Sequence, residues 1–327
     1  MAETTASILI PTKNAGGIIA AVLTAVTSQK TSFPYEVIVV DSGSTDQTLS
    51  IVAGYPDVRL LTIPAAEFGH GKTRNLAAQA STGEFLVFIT HDAIPVSADW
   101  LENLVGPLRR DPSIAGAFGR HVAHQDADVF TKRDLEQHFA GFLAHPTLLS
   151  KTTDPARYES DTGWRGLLHF FSNNNSVLRR SVWALHPFPD VEFAEDQIWA
   201  ATIIEHGYAK LYVPDAVVAH SHAYGPISQL RRAFDEAAAF KTLFGYRLGS
   251  SLLRAAQATL WLSVQDVKFG LRNRAPLGII LRRIGQNAGR TMGHYLGTRA
   301  ERMPEALRRS LSHDRRLMEN LRNAHQH

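Results

Sequence analysis

Short apolar runs alternate with helix-forming stretches through the first 92 residues of this 327-residue chain. The clearest run, residues 35–41, is almost continuously apolar before it ends in an acid, as a parallel strand buried on both faces would be. Strands that alternate with helices in this way predict a wound α/β fold around a mostly parallel sheet. The predicted strands are residues 7–11, 35–41, 58–63 and 84–90, and the predicted helices are residues 18–29, 47–54 and 71–80.

The alternating pattern weakens in the middle of the chain. Residues 124–160 are polar with scattered aromatic side chains, and they predict helix and loop. Segments with a regular apolar pattern resume at residues 171–178 and 209–219. Apolar positions on one face predict a helix at residues 227–243. Two or three further helices are expected beyond Gly249.

The composition excludes some classes of chemistry. The chain contains no cysteine, so disulfides, thiolate metal sites and cysteine nucleophiles are excluded. Its first residues lack the basic and apolar segments of a signal peptide, and no stretch approaches the roughly 18 uncharged apolar residues of a membrane span. We therefore expect a cytoplasmic protein.

The net charge of +3 hides a basic region at the end of the sequence. Residues 251–327 carry 14 Lys and Arg against 5 Asp and Glu, a net of +9, so the preceding residues carry −6. A block of this kind suits an anionic membrane surface or another polyanionic partner. A solvated helical face explains it equally well.

Two carboxylates follow predicted strands, at the edge where ligands of such sheets bind. Asp41, with Ser42 and Gly43 after it, can accept hydrogen bonds from a nucleobase or a ribose. Its alternative role is to cap the next helix, but Ser44 and Asp46 are better placed to do so.

Asp92 is the second of these carboxylates. It can hold Mg²⁺ or Mn²⁺ against two phosphates, because phosphate and water oxygens complete the shell of such an ion. An ordinary turn before Pro95 is the alternative.

A glycine-flanked basic segment, residues 69–75, leads into the third predicted helix. Backbone amides at a helix start favour phosphate, and Lys72 and Arg74 add positive charge. The spacing excludes a Walker A loop, and a surface turn is the equal alternative.

Three adjacent asparagines, Asn173, Asn174 and Asn175, offer many uncharged donors and acceptors, which suits sugar hydroxyls. A turn is the alternative. Trp164 can stack on a sugar face or pack in the core.

Taken in order, these segments resemble glycosyltransferase family 2 over about residues 7–225. Within that family the chain is most similar to bacterial rhamnosyltransferases, and the segments that carry this likeness are residues 68–75, 91–93 and 220–222. The segments that carry the resemblance are residues 8–14, 39–46, 72–75, 83–85, 91–92 and 194–196.

The resemblance implies a GT-A fold and a nucleotide-diphospho-sugar donor. It implies that Asp92 matches the last acid of an Asp-x-Asp metal motif, in which Thr90 replaces the first acid. His220 or His222 would then supplement Asp92 at Mg²⁺ or Mn²⁺. The donor residues that it implies are Pro11, Thr12, Lys13, Asn14, Asp41, Ser42, Gly43, Lys72, Arg74, His91 and Asp92.

On the acceptor side, the resemblance implies that Asp196 is the base of an inverting transfer. Without it, Asp196 could equally be a first-turn acid that complements a helix dipole. The acceptor-binding residues expected around it are Asn173, Asn174, Asn175, Glu195 and Trp164.

We therefore expect a GT-A domain at residues 1–225, with a donor half to about residue 120 and an acceptor half from 121, then a basic helical region at residues 226–327. The expected reaction moves L-rhamnose from dTDP-L-rhamnose onto a hydroxyl of a glycan or a polyprenyl-diphosphate-linked saccharide in bacterial polysaccharide biosynthesis. The alternatives are another UDP-, GDP- or dTDP-sugar, a sugar nucleotidyltransferase, and a non-catalytic nucleotide- or nucleic-acid-binding protein. Docking at an anionic membrane and a homo-oligomer are both compatible with the sequence, and no nucleic-acid partner is expected.

Overall fold

Nine strands and thirteen α-helices follow one another in the computed structural model, which describes residues 4–191 and 193–313. The strands are β1 (Ala6–Thr12), β2 (Tyr35–Asp41), β3 (Val58–Thr62), β4 (Phe85–Ile89), β5 (Ile94–Pro95), β6 (Ile114–Val122), β7 (Leu148–Leu149), β8 (Asn175–Arg179) and β9 (Ala209–Ala219). The helices are α1 (Ile18–Thr27), α2 (Thr48–Ala53), α3 (His70–Ala80), α4 (Trp100–Arg110), α5 (Val129–Phe142), α6 (Pro155–Ser160), α7 (Thr162–His169), α8 (Arg180–Leu185), α9 (Glu195–Glu205), α10 (Pro226–Phe244), α11 (Leu252–Arg272), α12 (Leu277–Gly297) and α13 (Glu305–Leu311).

All strands belong to one mixed sheet in the order β3-β2-β1-β4-β8-β6-β9-β5, and β7 pairs with β9. The first four strands of that order run parallel, as do β6 and β9. Between these two parallel groups lies β8, which is antiparallel to both β4 and β6. The predicted α/β fold is confirmed, and the predicted strands and helices of the first 92 residues appear within one or two residues of their expected ends.

The sheet is buried on both faces, which explains why its strands are continuously apolar. Successive strand side chains point to opposite faces. Ile8 and Ile10 therefore join the core on the side of α1 and α4, and Leu9 joins the core on the side of α3 and α9. The same alternation repeats in β2 and β4.

Strand register brings the chemistry-bearing turns to one edge. Thr12 pairs with Asp41 at the carboxyl ends of β1 and β2. Leu9 pairs with Phe88, so the turn that follows β4 reaches the same edge as Thr12. That shared edge positions Asp92 near the turn that contains Asp41.

The chain divides into two compact units. The first runs to His124 and resumes over Leu135–His220, and the second comprises Gln125–Asp134 and the chain from Ser221 on. The boundary predicted at residues 225/226 stays a prediction, and the part of the basic region from residue 314 on lies outside the described residues. Among the described helices, none combines the length and hydropathy needed to cross a membrane.

Within the second unit, α10 and α12 pack with their backbones in close approach. A Cβ at Gly289, Gly293 or Gly297 would overlap a backbone carbonyl of α10. Asp266 lies buried on α11 and accepts hydrogen bonds from Arg133 and Asn287 at 2.7 Å each. Helices in residues 226–313 were predicted, but this glycine spacing was not recognised.

Candidate functional site

The turns after β1 and β2 are tied to each other by side chain–backbone hydrogen bonds. The Asp41 carboxylate is buried and accepts from the backbone N–H of Gly43 and of Ser44, both at 2.9 Å, and from the Ser44 hydroxyl. The Ser42 backbone N–H and hydroxyl both donate to the Thr12 carbonyl. Asp41 and Ser42 therefore lie at the predicted edge, where they build the turn itself.

Asn14 completes this pair of turns. Its backbone is left-handed, with φ of 46°, a conformation that asparagine tolerates better than most residues. Its backbone N–H donates to the Ser44 hydroxyl at 2.8 Å, and its side-chain oxygen accepts from the Thr45 backbone at 2.8 Å. Burial lowers the pKa of the neighbouring Lys13, and the charge of Asp41 opposes that shift.

Two buried threonine hydroxyls at this edge have no hydrogen-bond partner within the described residues. They belong to Thr12, at the end of β1, and Thr90, directly after β4. Buried polar groups are normally satisfied, and an orphan group suggests a ligand that completes the site. Thr90 is also the residue that replaces the first acid of the metal motif.

A carboxylate and an imidazole meet beside this edge. They belong to Asp92, in the turn after β4, and to His220, directly after β9, and the expected role of His222 stays a prediction. His220 Nε2 is 3.5 Å from Asp92 Oδ1. The mixed oxygen and nitrogen donor set fits a divalent cation.

His121 packs behind these residues and was not singled out from the sequence. Its ring stands edge-on to that of His220, with centroids 5.4 Å apart. Burial lowers the pKa of His121 well below its ordinary value, with the charges of His220 and His138 acting in the same direction. The only sequence signal is its place near the end of residues 114–122, which form β6 and were not predicted as a strand.

The basic segment at the start of α3 faces the loop before α9. A Cβ at Gly71 would overlap the Pro189 carbonyl oxygen, so only glycine fits there without a shift. Asn75 donates to the Phe188 carbonyl at 2.8 Å and accepts from the Trp183 indole at 2.9 Å. The segment is therefore fastened on two sides to residues 183–189.

Arg74 and Lys72 differ in their surroundings. Arg74 is buried, and its guanidinium forms an ion pair of 2.8 Å with Glu195. Lys72 is exposed. The predicted donor role of Arg74 stays untested, but its guanidinium already has a carboxylate partner.

Asp196 lies in the first turn of α9. Its carboxylate accepts the Asn173 backbone N–H at 3.1 Å and the Gln197 backbone N–H at 2.8 Å. Burial raises the pKa of Asp196 to about 7, and the charge of Glu195 adds to the rise. A carboxyl group with a pKa close to ambient pH suits general acid–base chemistry.

The three asparagines have separate surroundings. Asn175 is buried, accepts from the Trp100 indole at 2.9 Å and donates to the Ala216 carbonyl at 2.8 Å, so its amide joins β8 to α4 and to β9. Asn173 is buried between Glu195 and Ser176, whereas Asn174 is half-buried.

Trp164 also lies inside the molecule. It is 4% exposed and belongs to the core on the α9 side of the sheet. The Arg157 guanidinium stacks on its ring at 4.5 Å. This packing matches the core alternative that the sequence left open for Trp164.

Known proteins resemble this chain in sequence. The family model Glycosyl transferase family 2 matches residues 7–184. The chain is 36% identical over 233 residues to the O-antigen chain rhamnosyltransferase RfbN of Salmonella typhimurium and 34% identical over 232 residues to the O-antigen chain rhamnosyltransferase WbaN of Salmonella anatum, with 70% of each chain covered in both cases.

Solved structures show the same fold. The mannosyltransferase PcManGT from Pyrobaculum calidifontis, in complex with GDP-Man and Mn²⁺, is similar with a TM-score of 0.58 and 21% identity, covering 88% of this chain and 86% of that one. The S. aureus protein TarS 1-349 in complex with UDP-GlcNAc has a TM-score of 0.51 and 17% identity, covering 91% and 92%. The predicted GT-A fold is confirmed.

Proposed function

The chain belongs to glycosyl transferase family 2, and from that premise we propose that it transfers L-rhamnose from dTDP-L-rhamnose to a hydroxyl of a glycan, with inversion. The observation that carries the proposal is the match to two rhamnosyltransferases over 70% of each chain. The acceptor that we propose is a growing saccharide on a polyprenyl diphosphate, as in O-antigen assembly.

Asp196 is the proposed base. Its carboxylate takes the proton of the acceptor hydroxyl as the hydroxyl oxygen bonds to the anomeric carbon. The bond from that carbon to the diphosphate oxygen breaks on the opposite face, and its electron pair leaves with the nucleoside diphosphate, so the configuration inverts. The pKa of about 7 supports this role, because a base is most effective when its pKa lies near the working pH.

Asp92 and His220 are proposed to hold the divalent cation, with His222, two residues further along the chain, as the third ligand that the family resemblance implies. The cation would neutralise charge on the leaving diphosphate. Imidazole ligands favour Mn²⁺ over Mg²⁺, because Mg²⁺ prefers oxygen ligands. The orphan hydroxyls of Thr12 and Thr90 support a donor at this edge. The proposed donor contacts are Pro11, Thr12, Lys13, Asn14, Asp41, Ser42, Gly43, Lys72 and His91.

A thermal-shift panel tests the donor. Purified protein is heated with dTDP, dTDP-rhamnose, UDP or GDP, each with and without Mn²⁺. We expect the largest stabilisation from dTDP or dTDP-rhamnose with Mn²⁺, because only a ligand that binds the folded state raises the melting temperature. A larger shift with UDP or GDP would overturn the donor assignment and leave the family unaffected.

We propose in addition that α11 lies on an anionic membrane surface. Its outward side carries exposed apolar side chains, Leu253, Leu260, Trp261, Val264 and Leu271. Exposed Arg254, Lys268 and Arg272 lie on the same helix, and its one acid, Asp266, is buried. Apolar area combined with positive charge and no exposed acid is complementary to the interface of an anionic bilayer.

Vesicle sedimentation tests this surface. The protein is expected to sediment with phosphatidylglycerol-containing vesicles more than with phosphatidylcholine vesicles, and Trp261→Glu is expected to release it. Leu185→Glu is the matched control, because Leu185 is equally exposed on α8. The proposal would be overturned if Trp261→Glu sedimented with phosphatidylglycerol-containing vesicles as much as the unmodified chain does.

A further inference from the structure

An ion pair is buried beside the proposed base. Arg74 on α3 and Glu195 at the start of α9 are 121 residues apart in sequence, and their side chains are 7% and 8% exposed. A buried ion pair contributes little net stability, because the cost of removing both charges from water offsets their attraction. Its presence here is better explained by what it orients.

Asn173 connects this ion pair to Asp196. Its side-chain amide donates to Glu195 Oε1 at 3.4 Å, and its backbone N–H donates to Asp196 Oδ2 at 3.1 Å. The Ser176 hydroxyl donates to the Asn173 side-chain oxygen at 3.0 Å. One residue thus contacts both carboxylates through different groups.

The other end of the ion pair is fixed to a rigid helix. Arg74 Nη1 also donates to the His70 carbonyl at 3.1 Å. Gly71 packs against Pro189, and Asn75 is bonded to Phe188, so α3 cannot shift without disturbing the loop before α9. Arg74 is therefore held in place on α3, and its ion pair holds the Glu195 carboxylate in place in turn.

We infer that Arg74 and Glu195 are positioning residues for the transfer reaction: Arg74 fixes Glu195, Glu195 fixes Asn173, and the Asn173 amide orients the Asp196 carboxylate. The inference rests on the proposed role of Asp196 as base. It assigns to Arg74 a role that acts through Glu195 and Asn173.

The charges of Arg74 and Glu195 act in opposite directions on the pKa of Asp196. Glu195 faces Asp196 from its own helix and raises its pKa, whereas Arg74 faces it from α3 and lowers it. His70, also on α3, interacts with both members of the pair, and burial lowers its pKa. Neutralising Glu195 should therefore lower the pKa of Asp196, and neutralising Arg74 should raise it.

The experiment measures dTDP release from dTDP-rhamnose, with water as the acceptor, across pH in Glu195→Gln and Arg74→Met. We expect kcat to fall about 10–100-fold in each, since small misplacements of a catalytic group have effects of this size. The rising limb of the kcat–pH profile should move to lower pH in Glu195→Gln and to higher pH in Arg74→Met. The affinity for dTDP, measured by calorimetry, should not change.

Two further variants keep the test informative. Arg74→Lys retains the charge but replaces the rigid guanidinium, whose Nη1 bonds both Glu195 and the His70 carbonyl, by a flexible ammonium. It should therefore lose kcat with its pH limb in place, even if Arg74→Met does not fold. Arg309→Met breaks an exposed ion pair with Glu305 on α13 and should leave all readouts unchanged.

Two outcomes would overturn the inference. One is weaker dTDP binding in Arg74→Met with an unmoved pH limb, which would assign Arg74 to the donor. The other is shifts of the same sign in Glu195→Gln and Arg74→Met. Failure of the proposed function is recognised separately, because Asp196→Asn would then retain turnover.

Discussion

Gly71 lies directly against Pro189: a Cβ at position 71 would overlap the Pro189 carbonyl oxygen, and the Phe188 Cβ would be 3.3 Å away. This contact joins the start of α3 to the loop that leads into α9. It accounts for a glycine in the basic segment without reference to phosphate. The same contact keeps Arg74 within reach of Glu195.

Gly71→Ala is expected to destabilise the fold by about 1–3 kcal/mol, because the methyl group must displace backbone that cannot give way. Denaturant unfolding measures this. Gly141→Ala is the matched control, since a Cβ at Gly141 on α5 would meet no atom within 4 Å. That control should be neutral or stabilising by up to about 1 kcal/mol. Equal stability of the two variants would contradict the predicted overlap.

Asp196→Asn is expected to reduce sugar transfer by about 10²–10⁴-fold, the usual contribution of a general base. Binding of dTDP should persist, because the substitution leaves the strand-end turns intact. Turnover and calorimetric affinity are measured on the same preparation. Full turnover in Asp196→Asn would exclude Asp196 as the base.

The same substitution is expected to raise thermal stability at high pH. Burial raises the pKa of Asp196 from 3.8 to about 7, so ionising it in the folded protein disfavours the fold. That effect is absent below the unfolded-state pKa, grows as the pH rises, and is complete above about pH 7. Melting temperatures of Asp196→Asn and the unmodified chain should therefore differ most at pH 8 and converge near pH 4. A constant difference would contradict the raised pKa.

The pH dependence of kcat follows from the same carboxyl group. The base must be deprotonated, so activity should rise about tenfold per pH unit below about pH 7 and level off above it. This rise of kcat with pH should be absent from the residual activity of Asp196→Asn. A limb centred near pH 4 would indicate that Asp196 is solvated during turnover.

The Mn²⁺ concentration needed for activity is expected to rise when Asp92 or His220 is replaced. Replacing a residue that only supports a metal ligand typically weakens metal affinity about 10–100-fold. Replacing a ligand itself should therefore raise the Mn²⁺ concentration needed for half-maximal activity by at least about 10–100-fold. Titrations of Asp92→Ala and His220→Ala with Mn²⁺ measure this. His206→Ala, at an exposed histidine of the same unit, should respond as the unmodified chain does. Unchanged Mn²⁺ titration curves in Asp92→Ala and His220→Ala would rule out this cation site.

Two parts of the sheet show where prediction from sequence reached its limit. The apolar run of β2 predicted a strand buried on both faces, because burial on both faces requires apolar side chains at consecutive positions. By contrast, β6 is rich in glycine and alanine, and it was not recognised. A Cβ at Gly116 would lie 2.7 Å from Trp199, so the neighbours of β6 exclude larger residues.

The sequence by itself determined the order of strands and helices in the first 92 residues and the acids at or just after the ends of two of those strands, Asp41 and Asp92. Those features depend on periodicity among near neighbours, which every short segment carries. Only the tertiary structure decided that Arg74 pairs with Glu195 and that Asn175 of β8 bonds to Trp100 of α4. The partner of a buried polar side chain depends on which distant segments pack against it, and no local pattern records that.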